Sequence, residues 1–247
     1  MEQLPSNERV MQNKPGPAGW LPIWIKAVTR PNEQTFMELT DRPDAVSRTA
    51  FIWVFIAGTV SGIFQAILRS VYAATGTTPQ LSIPGLEQYM PSGGGDAGSI
   101  GITLITSLCL TPVIGLVSVI FFAIGTAIVQ WITKLFGGVG SFDKLAYALA
   151  AITVPFTLVS SVFVLFTAIP YVGACFGILS FGLGIYATVL QVMAVKGVNR
   201  FGWGAAIGSV FIPGLVVFIF CCCIVFAGMS LLGPAIGNAL KDFQFAP

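Results

Sequence analysis

The sequence predicts an all-α polytopic membrane protein, a bundle of about five transmembrane helices with a short interfacial N-terminal segment. Two observations predict it. Of 247 residues, 55% are hydrophobic and only 9% are charged, and the mean hydropathy is +0.86. Soluble domains carry roughly 25% charged residues. A domain of this size in water still needs a polar shell, so the surrounding solvent is lipid. The second observation is the distribution of those few charges. Long apolar runs are nearly free of them, and short polar segments hold most of the rest.

Residues 1–17 are polar and contain Pro and Gly, and they read as a disordered tail. They lack an apolar core of the signal-peptide kind, so the first long apolar run stays as an anchor. Residues 18–48 read as a cytoplasmic interfacial segment. Trp20, Leu21, Ile23, Trp24 and Ile25 form an apolar patch too short to span, followed by Lys26 and Arg30. Residues 33–41 form a short amphipathic turn, with Phe36, Met37 and Leu39 set against Glu33, Glu38 and Asp41.

A five-helix transmembrane domain then covers 49–232. Span one runs over 49–73. A loop rich in Gly, Pro, Ser and Thr covers 74–99. Residues 100–132 carry no charge, and as one helix they measure about 50 Å, more than a bilayer core requires. Pro112 is expected to divide them into a short outer helix and span two, which ends near Trp131. The segment Phe136-Gly-Gly-Val-Gly-Ser-Phe-Asp-Lys144 reads as a turn into a new helix, with Ser141 as N-cap and Asp143 at the positive helix start. Span three covers 145–168 with Pro155 inside, and Ile169-Pro170 ends it. Span four covers 171–195, a polar loop covers 196–202, and span five covers 203–232 with Pro213-Gly214 inside. Residues 233–247 form a tail.

Positive residues set the expected orientation. Arg9, Lys14, Lys26, Arg30, Arg42 and Arg48 precede span one. The loop after span one holds no Lys or Arg, the next holds Lys134 and Lys144, the next none, and the last Lys196 and Arg200. This alternation places the N-terminus in the cytoplasm and the C-terminus outside, with Arg69 and Lys241 as exceptions. Trp20, Trp24, Trp53, Trp131 and Trp203 all fall at the same predicted interface, where the amphipathic indole ring anchors helices. The expected location is integral to a membrane.

Composition also excludes functions. A net charge of +2 gives no general attraction to nucleic acid. Histidine is absent, which excludes His-dependent triads and His-ligated metals. The five cysteines have no zinc-ligand spacing and read as small apolar packing residues. Gly93-Gly94-Gly95-Asp96 matches the GxGD pattern of intramembrane proteases but has no partner aspartate in any span. Gly137-Gly138-Val139-Gly140 lacks the strand and spacing of a phosphate loop and reads as a turn. Glu38 and Asp143 are isolated acids, expected to be solvated or capping. Gln65 and Gln191 are expected to bond to neighbouring helices, and Gly58/Gly62 to allow close helix packing. The reading is therefore of a protein that is not an enzyme and needs no cofactor. Its expected partners are the lipid bilayer and a second copy or another membrane protein.

Three stretches resemble the Yip (Ypt-interacting protein) domain family in its prokaryotic form. They are Thr29-Arg-Pro-Asn-Glu-Gln-Thr-Phe-Met-Glu-Leu39, with Pro31 and Phe36; Phe136 to Phe142, with Gly138, Gly140 and Ser141, leading to Tyr147 and Pro155; and Ile169-Pro170-Tyr171-Val172-Gly173, followed by Tyr186. The resemblance covers residues 27–230 and implies a five-helix membrane domain with a cytoplasmic N-terminus, in the inner membrane of a prokaryotic cell. Eukaryotic members are similar in fold and act in vesicle trafficking with Rab-type GTPases, and no residue here can be tied to that partner. The expected role is organising membrane partners or bilayer shape. The alternative is a small transporter or channel for a neutral or lipid-like solute, opened by helix breaks at Pro112, Pro155, Pro170 and Pro213.

Overall fold

The computed structural model describes residues 19–75, 97–169, 171–216, 218–219, 222–223 and 227. Among them every regular element is a helix. Four helices are long and apolar enough to cross a membrane, and a shorter apolar helix follows them. The sequence-predicted helical membrane bundle is the observed one.

α1 (Trp20–Thr29) carries Pro22 in its first turn, where a backbone N–H has no intrahelical acceptor to lose. Pro31 stops it, because the residue before a proline is driven out of the helical region, and Arg30 has φ −119° and ψ 74°. Asn32 then caps α2 (Glu33–Thr40), its side chain accepting from the Gln34 N–H at 3.3 Å, with Glu33 in the positive first turn. The amphipathic turn expected at 33–41 is thus a complete short helix. Its buried face is Thr35, Phe36, Leu39 and Thr40.

α3 (Ser47–Thr75) and α4 (Ala97–Leu135) are the longest elements, and α3 lies along both α4 and α5. A Cβ on Gly58 would meet Ser118 Oγ at 2.7 Å and the Gly115 Cα at 3.2 Å, so only small residues permit this crossing. The Gly58/Gly62 pair therefore serves packing within the chain.

α4 corrects one expectation. Pro112 does not divide it, and the helix runs unbroken through that position. Proline removes the N–H that would have reached the carbonyl of Leu108. The Thr111 hydroxyl donates to that carbonyl at 2.9 Å instead, so the freed acceptor is not left bare in lipid.

α5 (Phe142–Phe166) is the central helix. Its residues Leu145–Ile152 are all buried, because Ala146, Ala148, Ala150 and Ala151 let neighbours approach from every side. α6 (Val172–Asn199) packs on α5 and contains Lys196, which the sequence placed in a loop. The polar loop shrinks to Arg200–Gly202. α7 (Trp203–Val216) begins the fifth apolar segment. Most of 217–232 lies outside the described residues, as do the predicted tails 1–17 and 233–247, Pro170, and the GxGD match at 93–96.

The core is polarised. It gathers Ile23, Ala27, Phe36, Leu39, Trp53, Leu145–Ile152, Leu190 and Val195 at the end where α1 and α2 lie. At the other end Val159, Val162, Phe166, Ile178 and Phe181 are exposed.

Candidate functional site

The feature these residues build is a helical hairpin, α1–α2, clamped across the ends of α3, α5 and α6. Its heart is aromatic. Trp53 is wholly buried on α3. Trp20 meets its ring edge-on at 5.9 Å, Trp24 at 5.6 Å, and Tyr147 of α5 tilts against it at 4.9 Å. Such ring pairs contribute about 0.5–1.5 kcal/mol each beyond area burial. Trp53 was placed at the membrane interface by sequence. Its ring is instead the hub on which the hairpin's tryptophans pack, and it touches no surface. Trp131 and Trp203 are exposed at 66% and 50%, and Trp20 and Trp24 are half-buried.

Polar contacts set the hairpin's register. The Tyr186 hydroxyl on α6 donates to the Val28 carbonyl near the end of α1 at 2.7 Å, while its ring lies 6.0 Å from that of Phe156. Lys196 of α6 pairs with Glu33 at the start of α2 and lies 4.3 Å from the centre of the Trp203 ring. A Cβ at Gly197 would come within 2.7 Å of the Glu33 carbonyl oxygen, so glycine lets α2 settle on α6. Lys26 bonds Glu38 at 2.7 Å within the hairpin, Arg42 bonds Asp44 at 3.0 Å, and Lys144 bonds Asp41 at 2.7 Å. The Lys144 hydrogen bond and charge hold the Asp41 carboxyl below its ordinary range. Exposed ion pairs contribute little to stability. The rings and the buried Phe36 therefore hold the hairpin, and the ion pairs align it.

The Gly-rich turn between α4 and α5 lies beside this clamp. Gly137 has φ +82° and closes α4, with the Gly137 N–H on the Lys134 carbonyl at 3.0 Å and the Gly138 N–H on the Thr133 carbonyl at 2.8 Å. Gly138 and Gly140 then press against Asn199, the buried last residue of α6. Gln130 donates to the Gly140 carbonyl at 2.8 Å, and the Val139 N–H to the Asn199 carbonyl at 3.2 Å. Ser141 caps α5 as expected, accepting from the Lys144 N–H at 3.4 Å. Asp143 does more than suit its own helix. Its carboxylate accepts from the Ser47 N–H at 3.1 Å and so caps α3.

Of the sequence-selected residues, the fold brings Trp20, Trp24, Trp53, Phe36, Tyr147 and Tyr186 to the clamp, and Gly138, Gly140 and Ser141 to the adjoining turn. Pro31 separates α1 from α2. Pro155 lies inside α5. Gly173 packs on the Thr167 backbone at the far end, away from the hairpin. Sequence reasoning missed Gln130, Asn199, Lys196 and Glu33. The signal for the first two was an amide side chain at each helix end that flanks the Gly-rich turn. Gln65, expected to bond a neighbouring helix, is exposed and bonds to none among the described residues.

Among the described residues no three His, Cys, Asp or Glu side chains gather as metal ligands. The acids Glu33, Glu38, Asp41, Asp44 and Asp143 are all engaged in ion pairs or caps. Among the described residues Arg30, Arg48 and Lys134 at this end form no ion pair, and Arg200 acts on the Asp41 carboxyl through its charge.

A bundle of lipid-compatible helices carrying a clamped surface hairpin defines an integral membrane protein. A family profile for the Yip1 domain matches residues 14–225. The chain belongs to the Yip1 domain family, which includes in one match the hairpin, the Gly-rich turn and the bundle. Neither a curated protein nor a solved structure matches it.

Proposed function

We propose that this Yip1-family protein is a non-enzymatic organiser of membrane partners, acting through the α1–α2 hairpin on the cytoplasmic face of a prokaryotic cell membrane. The observation that carries the reading is the two-sided character of α1. One face is locked to the bundle through Ile23, Ala27, Trp20 and Trp24. The other leaves Leu21 and Ile25 exposed at 60% and 52%, one helical turn apart. A mobile helix would lose entropy on docking, whereas a locked one presents its apolar face at less cost. The excess of Lys and Arg flanking the hairpin supports its cytoplasmic placement.

The test is crosslinking in the native membrane from a photoreactive residue at Leu21 or Ile25, with the same residue at Phe121 on the exposed flank of α4 as reference. One or two proteins captured reproducibly from 21 and 25 and not from 121 is the expected result. Identical lipid-only labelling from all three positions refutes the reading. So does solute flux through purified protein in proteoliposomes, which belongs to the transporter alternative.

A further inference from the structure

An open groove runs between α3 and α4 on the flank of the bundle, beside the hairpin end. Its volume is about 590 Å³, and it is lined by Ser47, Arg48, Phe51, Ile52, Phe55, Leu116 and Val119. Its position follows from the helix crossing. The helices pinch together where Gly58 meets Gly115 and Ser118, and the Phe51 and Phe122 rings meet again 6.4 Å apart near the hairpin end. The groove opens outward from the Gly58 crossing past Phe51 to Ser47 and Arg48. From Arg48 to Phe55 it extends about 10 Å along the helix axis.

The lining is asymmetric. Ser47 and Arg48 stand at one end, and everything deeper is apolar. Arg48 is exposed and has no ion pair among the described residues. Asp143 already occupies the Ser47 N–H, so the α3 terminus has its anion. The Ser47 hydroxyl serves the same carboxylate, so what remains for a ligand is the Arg48 guanidinium. An apolar slot that begins at a free cation at the depth of the headgroups has the polarity of one lipid molecule. The charge of this end points the same way, with Arg30 and Lys134 also outside any ion pair among the described residues.

We propose that this groove holds one anionic phospholipid, its phosphate on Arg48 and the upper part of an acyl chain along Phe51, Phe55, Leu116 and Val119. The guanidinium suits a phosphate because it donates in a fixed planar fork. The inference stands apart from partner organisation, since it needs only the groove and the bilayer.

Native mass spectrometry of the full chain, released from detergent with added phosphatidylglycerol or phosphatidylcholine, tests it. Phosphatidylglycerol is expected to be retained about tenfold better. Arg48→Gln removes that preference. Leu116→Trp fills the groove with the charge intact and removes it as well, and it decides the matter should Arg48→Gln fail to fold. Lys134→Gln, which removes a surface cation away from the groove, leaves it unchanged. Equal retention of the two lipids overturns the proposal, as does a preference that survives Arg48→Gln. A preference that survives Leu116→Trp assigns it to surface charge alone. Displacement by soluble glycerol 3-phosphate assigns it to the headgroup alone. Either result also overturns the proposal.

Discussion

Substituting Gly140 by alanine should loosen the joint between the Gly-rich turn and α6. A Cβ there would lie 2.7 Å from Asn199 Oδ1 and 2.8 Å from both Val198 Cγ1 and the Val198 carbonyl oxygen. The last of these is backbone and cannot swing aside, so the turn itself must move. Overpacking of this kind costs about 1–3 kcal/mol. Movement of the turn also stretches the buried bond from Gln130 to the Gly140 carbonyl, whose loss costs about 1 kcal/mol more. The total of about 2–4 kcal/mol corresponds to a melting temperature lower by about 5–15 °C for a chain of this length. Thermal unfolding of the full chain in one detergent, at one scan rate, measures it. Gly125→Ala is the internal comparison. Position 125 is exposed in α4 with nothing within 4 Å of a new Cβ, so alanine should leave the melting temperature unchanged or raise it. If Gly140→Ala melts with the unmodified protein, the turn is not wedged against Asn199, and the account of that joint is wrong.

Tyr186→Phe keeps the ring contact with Phe156 and deletes only the bond to the Val28 carbonyl, worth about 1 kcal/mol. Hydrogen exchange at the α1 amides should speed up about fivefold while the bundle is unaffected, and unchanged exchange in α1 would remove Tyr186 from the clamp. Asp41 offers a test in pH. Its carboxyl is held below the ordinary value by Lys144, so the stability it contributes is present above the unfolded pKa and lost as pH falls through the folded one. Asp41→Asn should therefore flatten the loss of stability on acidification below about pH 4 and do little to its slope above. Equal acid slopes for the two proteins would dismiss the pair as a contributor.

Much of the bundle was legible because hydropathy and length are properties of single segments. Span one, the Ser141 cap and the amphipathic character of 33–41 needed no knowledge of neighbours. The errors share a cause, which is that partners distant in sequence decide them. Lys196 reads as a loop residue by its charge, yet α6 continues through it because Glu33, far upstream, supplies the counter-charge. Trp53 reads as an anchor by its depth. The face it occupies tells otherwise, since Ala50, Val54 and Ala57 form one buried stripe with it. Pro112 is a different case, because its remedy was adjacent. The threonine just before it could have been read as the donor that lets a membrane helix pass through a proline.

The placement of the buried core bears on how a surface hairpin can act on a membrane. Leu145–Ile152 are enclosed from all sides at the hairpin end, whereas the far halves of α5 and α6 expose large apolar side chains. Interior packing of this density resists deformation. Trp53, Tyr147 and Tyr186 therefore tie α1 to α3, α5 and α6. At the opposite end an added Cβ on Gly177, Gly182 or Gly184 of α6 would meet nothing within 4 Å. That contrast between the two ends follows from where the alanines of α5 and the tryptophans of α1 and α3 were placed.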